Sequence, residues 1–527
     1  MSEKKTIRTV FTVLLCLLII YEMVVLLDGS WIAMQHLTTR MSTKIINDLA
    51  SGVNPYGVAW IDDPNALPPT YYESGFFHIF PAVVMTKLGL SVFISQGITN
   101  IIYVILTMIM AYICVKMMTG NITLGLLASS LMYYVVNSRD YASTRPDTLC
   151  TCIFLLIISI VYKDARKSEK INEWLISFLC VLQVFLKIHY GSITAAVVVY
   201  YFLKSFRKDE KEKYKIPCWI TLGCKAALIT GIMIAFTQIC FPTFFSTFIV
   251  RVIYMAKSNT ENPDFVYLLG KWIEILLRWW PVIIPMIAGL IFSIVNMMKN
   301  NTSDYSEKQI QLFFIVNTIV NIIALCYMGL WPGNDLGYFN VMLVPQIIIA
   351  SLYYLNKWIT RYKDSMVVKV LAFALCIAVI AVTVFHNRDI IITPHGPIPY
   401  DYGNEEARAY FDSFGDSELL LSPNYAWYSL TTGRYQWDYG DQIYMPFDIG
   451  TSPRWNFLFP YTNRYIARMR EYANEMLDKV NNKEYALIIT DDYNKLGLNI
   501  GLEEAFEKAI NENYDLDEET GFYLPKN

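Results

Sequence analysis

No cysteine follows Cys376, although the chain runs on to Asn527. The polar tail therefore forgoes disulfides, which fits a bacterial or archaeal cell surface better than a eukaryotic secretory route. All ten cysteines lie in or beside apolar stretches and read as small core hydrophobes. Cys150 and Cys152 face two sides of a helix and lack metal-ligand spacing. Histidine is sparse as well. The five, at 36, 78, 189, 386 and 395, are too scattered for a multi-histidine metal site. There is no excess of positive charge: the net charge is −3, which argues against nucleic acid as a partner. The chain also lacks a P-loop, a GxGxxG after a strand, an HExxH and a GxSxG. No internal repeat or low-complexity segment is present.

Apolar residues are what the chain has in abundance. They make up 54% of it, with a mean hydropathy of +0.34, rare for a soluble protein of this length. Apolar runs predict eleven membrane spans, near 9–27, 95–117, 122–136, 148–162, 173–187, 191–204, 217–241, 275–298, 309–330, 339–356 and 366–385. The pair 173–187 and 191–204 is short, closer to half-spans or enclosed helices than to lipid-facing ones. The N-terminus has a basic start (Lys4, Lys5, Arg8) but no small-x-small cleavage site, so it reads as an uncleaved first span.

The gaps carry the orientation. YKDARKSEK (162–170), KSFRKDEKEKYK (204–215) and NKWITRYKDS (356–365) are rich in Lys and Arg; NSRDYASTRPD (137–147), KIHYG (187–191) and WPGNDLGY (331–338) are not. The positive-inside rule then puts the N-terminus in the cytoplasm and the tail outside a cell membrane crossed many times. The expected fold is an α-helical polytopic membrane body over 1–385, followed by an extracytoplasmic α/β domain over 386–527. In the tail, GDSELLLSP (415–423) and KEYALIITDD (483–492) read as buried strands. RYIARMREYANEMLDKV (464–480) and LEEAFEKAINEN (502–513) read as amphipathic helices.

Two outer gaps are long, 28–94 and 242–274. In the first, MSTKIINDLASG (41–52) predicts a helix lying on the membrane surface, ended by glycine, with Asp48 on its solvated face. In the second, two amphipathic pieces flank a turn at Ser258–Pro263.

Charges at the edge of a membrane body are costly, so each needs a reason. The turn after the third span packs Arg139, Asp140, Arg145 and Asp147 together. Arginine suits bidentate grip on phosphate, aspartate can orient it or act as a base, and the helix opening at Asp147 favours anions. Lys187, with His189 beside it, could neutralise a phosphate, or simply snorkel to the interface. Asp28, where the first span ends, could take a proton from an attacking hydroxyl; Asp48, Asp62, Asp63 and Glu73 compete for that role. Asp335 and Tyr338 add polar contacts at the opening of the tenth span. The tail segment 424–444 is rich in Tyr and Trp, which stack on sugars but more often pack cores.

The order of several stretches resembles the GT-C superfamily of membrane glycosyltransferases, to which the protein O-mannosyltransferases and the aminoarabinose transferase of lipid A belong. DLASGVNPYG (48–57) is similar to that family's a-x-x-l-x-x-G-x-x-x-Y stretch after the first span. PPTYYESGFFHIFPAVVMTKLGLS (68–91), SRDYASTRPDTLC (138–150), FLKIHYG (185–191) and DLGYFNVMLVP (335–345) follow in the family's order. One departure is plain: where relatives carry an acidic residue upstream of the glycine, this chain reads His36-Leu-Thr-Thr-Arg40, which leaves Asp28 or another first-loop carboxylate such as Asp48 as the base.

The resemblance implies an inverting transfer. A polyprenyl-phosphate sugar enters from the membrane, its phosphate held by Arg139, Arg145, Lys187 and His189, with Asp140, Asp147, Glu73, Asp335 and Tyr338 in support. A glycan, lipid or protein acceptor attacks at the outer face. No cofactor is implied, and first-loop carboxylates leave room for a divalent metal. The rival functions are a flippase or transporter of lipid-linked sugars, a glycan polymerase, and a scaffold with a decayed site. A transporter would show related halves and midplane charges, which are not evident here.

Overall fold

The computed structural model describes residues 2–29, 37–63, 76–137, 146–167, 172–206, 216–246, 265–298, 305–329, 341–361, 365–386, 405–421, 428, 460–489 and 502–526. In chain order the helices are α1 (Ser2–Gly29), α2 (Leu37–Ala50), α3 (Ala59–Asp62), α4 (Phe80–Lys87), α5 (Val92–Thr119), α6 (Ile122–Asn137), α7 (Asp147–Lys167), α8 (Glu173–Leu186) and α9 (Gly191–Ser205). They continue as α10 (Cys218–Cys240), α11 (Phe265–Met298), α12 (Tyr305–Gly329), α13 (Val344–Arg361), α14 (Met366–His386), α15 (Glu405–Asp412), α16 (Thr462–Asn481) and α17 (Glu503–Asn513). Four short strands close the tail: β1 (Leu419–Leu420), β2 (Leu487–Ile488), β3 (Tyr514–Leu516) and β4 (Tyr523–Pro525).

Each of the eleven apolar runs is a helix. Among the described residues six stretches are long and apolar enough to cross a membrane: Thr9–Leu27, Val92–Thr119, Asp147–Arg166, Cys218–Cys240, Trp272–Ile291 and Glu307–Cys326. Shorter apolar helices accompany them at Ile122–Asn137, Glu173–Leu186 and Val370–Phe385. This is the architecture of a multi-pass membrane protein with a small sheet near its C-terminus. The second long gap, 242–274, includes the first residues of α11, which starts at Phe265; the apolar stretch of that helix long enough to cross a membrane is Trp272–Ile291.

The chain divides into two compact units. The first comprises Met1–Ser30, Gly97–Ile232 and Glu261–His395. The second comprises Trp31–Gln96, Met233–Thr260 and Gly396–Asn527.

In the first unit α12 runs along α9 and α7, and α11 packs on α13 and α14. Every residue of α13 from Val344 to Leu355 is buried, the polar Gln346 and Ser351 included, so this stretch is enclosed on all sides. Gly289 of α11 lies against the Tyr354 ring of α13, and a Cβ there would overlap the ring. Glycine is what permits that close approach. Polar contacts pin α1 to α6: Ser130 Oγ donates to Glu22 Oε1 (2.5 Å), and the Thr12 and Thr123 hydroxyls are 2.9 Å apart.

In the second unit, the two long gaps and the tail fold together. The helix foreseen over 41–52 is α2, which starts at Leu37 and ends before Gly52. Gly52 takes φ +82°, and Val53 N donates back to Asp48 O (2.8 Å), so glycine ends the helix as expected. Ile45 and Ile46 of α2 share a core with Tyr56, Ile79, Ala82, Val83, Phe241 and Phe244. Thr243 N donates to Tyr56 O (3.1 Å) and Asn54 Nδ2 to Cys240 O (2.8 Å), stitching one gap to the other. Asp62 of α3 pairs with Arg464 of α16, and Ile61 packs on the tail core of Leu420, Ile466, Met476, Ile488 and Phe506. Stretches that fold into one unit must share one side of the membrane.

The tail sheet has the order β1-β2-β4-β3. β1 and β2 are parallel, with Leu419 opposite Leu487; β4 is antiparallel to both β2 and β3. The two foreseen strands and two foreseen helices are present, and α15 and the β3–β4 hairpin are additional.

Candidate functional site

Pro146 and Asp147 set the start of α7. Pro146 O accepts the first helical bond, from Cys150 N (2.8 Å), which leaves Asp147 at the first helical position. A carboxylate is favoured there by the partial positive charge of the helix end. α8 begins with Asn172, whose side chain accepts from Leu175 N (3.1 Å), and ends where Lys187 turns extended, at φ −161° and ψ 120°. A 3₁₀ turn, Ile188–Tyr190, then leads into α9.

This end of α8 is bolted to the first turn of α7. Gln183 Nε2 donates to Cys150 O (2.8 Å), one helical turn before Lys187. Lys187 Nζ donates to Asp147 Oδ2 at 2.9 Å. The Tyr190 hydroxyl donates to the other carboxylate oxygen, Oδ1, at 3.0 Å. Asp147, Lys187 and Tyr190 are 5%, 3% and 0% exposed, so the charges face protein and not water. Thr107 of α5 adds a bond to Thr148 O (3.1 Å). Snorkelling is therefore not what Lys187 does: its ammonium turns inward to a carboxylate whose two oxygens are both engaged.

The cluster is also deep. α8 has 14 residues and α9 has 15, which at the helical rise gives each only about 21–23 Å. A bilayer core is about 30 Å thick, so the turn joining them stops short of one face. A neighbouring helix gives the same answer. Ser192 Oγ, at the head of α9, lies 2.8 Å from Asn321 Oδ1. α12 continues from Asn321 to Gly329, roughly 12 Å further. Lys187 thus lies enclosed at a level short of the end of α12.

His189 shares the turn and is half-buried; its carbonyl accepts from Ser192 Oγ (3.4 Å). Asp48 lies in the second unit. Contrary to the expected solvated face, it is 7% exposed and paired with Lys44 at 3.2 Å. The face is enclosed because neighbouring Ser42 and Thr43 bond Gln96 at the head of α5 (2.9 and 2.7 Å). Asp62 and Asp63 are exposed. Asp28 is in the last turn of α1, and its side chain lies outside the described residues, as do Glu73, Arg139, Asp140, Arg145, Asp335, Tyr338 and the aromatic segment 424–444, save Tyr428. Tyr428 is fully buried beside Phe411 and Leu487, a core role. Among the described residues no group of three or more His, Cys, Asp or Glu side chains is gathered as a metal site would require.

Four residues were not singled out from the sequence: Gln183, Tyr190 and a second buried pair at the far end of α7, Asp164 with Lys204 (2.6 Å). A sequence signal for the pairs exists. In both, lysine follows aspartate by 40 residues, so α7 carries aspartates matched to lysines just before α9 and in its last turn.

No protein-family model matches the chain, and no curated protein matches it. Several solved structures are similar to it, two of which follow. One is ArnT from Cupriavidus metallidurans bound to undecaprenyl phosphate, with 11% identity over 89% of this chain and 80% of that chain, and a TM-score of 0.44. The other is the archaeal oligosaccharyltransferase AglB from Archaeoglobus fulgidus in complex with an inhibitory peptide and a dolichol-phosphate, with 11% identity over 100% of this chain and 75% of that chain, and a TM-score of 0.48. At this identity no residue role passes from either protein to this chain.

Proposed function

We propose that the protein is a membrane glycosyltransferase of the GT-C kind, which moves a sugar from a polyprenyl-phosphate donor to a cell-envelope acceptor at the outer face. The observation that carries this reading is the buried Asp147–Lys187–Tyr190 cluster at the joint of two short apolar helices. A buried ammonium at the positive end of a helix, within an apolar bundle, suits the phosphate of a lipid better than a soluble anion. The ordered stretches that resemble the superfamily support the same reading, and SRDYASTRPDTLC and FLKIHYG contribute the two halves of this cluster.

The step follows from charge. The acceptor hydroxyl attacks the anomeric carbon and forms the new C–O bond, with inversion. The bond from that carbon to the phosphate oxygen breaks, and its electron pair leaves with the phosphate. The hydroxyl proton passes to a first-loop carboxylate and from there to water. Lys187 stabilises the charge that builds on the departing phosphate, and Arg139 and Arg145 are the further cations proposed for that role. Asp28 is the proposed base, since Asp48 is engaged with Lys44.

A radiolabel assay in proteoliposomes, run over a panel of polyprenyl-phosphate sugars, tests the reading. Label appearing in an acceptor supports transfer. Donor crossing the membrane with no label transferred would make the protein a flippase and overturn it.

A further inference from the structure

We propose that Asp147 is a positioning residue that makes the Lys187 site discriminate by charge, holding the singly charged phosphodiester donor and expelling the doubly charged phosphomonoester product. The proposal rests on the reading above, in which a lipid phosphate meets Lys187.

An anion that reaches Lys187 has to share the ammonium with Asp147 Oδ2, 2.9 Å away, or displace that carboxylate. Whatever cations face that anion, Asp147 sets one negative charge against it, and the repulsion grows with the charge the anion carries. A phosphodiester, with one negative charge, meets the smaller share of it.

Transfer changes that ligand. The C–O electron pair stays on phosphate while the acceptor proton goes to the base, so the lipid is left as a monoester. Its second ionisation lies near pH 6, so it carries up to about two negative charges at neutral pH. Asp147 then repels about twice the charge, in a buried setting where like charges repel strongly. Without Asp147 that added repulsion is gone and the monoester would be retained. Product and donor share a tail, so this repulsion is what tells them apart, and release often limits turnover in evolved enzymes.

Tyr190 belongs to the same device. Its hydroxyl donates to Oδ1 at 3.0 Å, beside Lys187 on Oδ2, so it tempers the carboxylate and holds its orientation. Gln183 fixes the seam from the α8 side through Cys150 O.

The test uses the full chain in nanodiscs and three probes: undecaprenyl phosphate, its methyl phosphodiester and undecaprenol. Affinities are measured near pH 8 and near pH 5, on either side of the monoester ionisation. Asp147→Asn is expected to bind the monoester ~10-fold more tightly than the parent near pH 8, with the diester changed less than ~3-fold. The difference should close near pH 5, where the monoester carries one charge. Tyr190→Phe keeps the ion pair and removes one donor; it should weaken the monoester by ~3-fold and spare the diester. A merely structural Asp147 would weaken both probes together, and an unchanged monoester-to-diester ratio in both variants would overturn the proposal. If the parent prefers neither phosphate over undecaprenol, the donor reading fails first and takes this one with it.

Discussion

At each end of α7 an aspartate buried in the bundle meets a lysine and a tyrosine hydroxyl, and the two sets differ in the helix end that carries the acid. Asp164 and Lys204 are 2.6 Å apart with side chains 0% and 2% exposed, and the Lys204 ammonium also lies 5.6 Å from the Tyr201 ring centroid. The Tyr201 hydroxyl donates to the same Asp164 oxygen at 3.4 Å. Asp164 is near the C-terminal end of its helix, where the partial negative charge disfavours a carboxylate and makes it lean harder on Lys204. Asp147 is at the opposite end, where the helix itself favours it, and the Tyr190 hydroxyl reaches its other oxygen at 3.0 Å. By that argument Lys187 is less committed to its partner than Lys204 is. The same ion pair can lock a bundle or wait for a ligand, and the difference comes from which helix end carries the acid.

Breaking each pair in turn should separate these roles. Lys187→Met is expected to lower transfer by ~10²–10³-fold, the scale of losing one charge that stabilises a transition state. Single-turnover kinetics with a labelled donor would read it; near-normal turnover would remove the lysine from the site. Lys204→Met should do the reverse: unfolding in detergent should show a loss of about 3–5 kcal/mol, from a carboxylate left buried without its partner, with transfer by the folded fraction unchanged. If the two variants lose the same stability and the same activity, the contrast between the ends of α7 is false.

Smaller effects sharpen the comparison. Arg145→Ala, beside the Asp147 end, should lower turnover by ~10-fold with thermal stability unchanged, as for one of several phosphate-binding cations. Asparagine scanning of the first loop should locate the base: Asp28→Asn abolishes transfer on the present assignment, whereas loss in Asp48→Asn alone would move the role to Asp48. Asp48→Asn should otherwise cost about 1–3 kcal/mol by leaving Lys44 buried without its carboxylate.

Much of this could be read before the coordinates. Eleven apolar runs gave eleven helices, because length and hydropathy act locally and need no partner. Gly52 ended α2 for the same local reason, a backbone angle that glycine adopts freely. The tail strands at 419–420 and 487–488 were visible as short apolar runs between turn residues. What escaped was pairing. Nothing local says that Lys187 meets Asp147 and Lys204 meets Asp164; that follows from the register between α7 and the stretch from the α8–α9 turn to the end of α9. Asp48 was misread for a related reason. Periodicity shows which residues share a helix face, but not that Gln96, far along the chain, helps to enclose it. Tyr190 escaped because an aromatic beside a glycine is an ordinary sight until its hydroxyl is found 3.0 Å from a buried carboxylate.

The central claim is that the Asp147 end of α7 receives a lipid-borne phosphate. The most direct measurement is the binding preference of the reconstituted protein for undecaprenyl phosphate over undecaprenol, compared among the parent, Lys187→Met and Lys204→Met at a temperature where all three are folded. The preference should be present in the parent, lost in Lys187→Met and kept in Lys204→Met. A parent without the preference, or a Lys187→Met variant that retains it, would contradict the account.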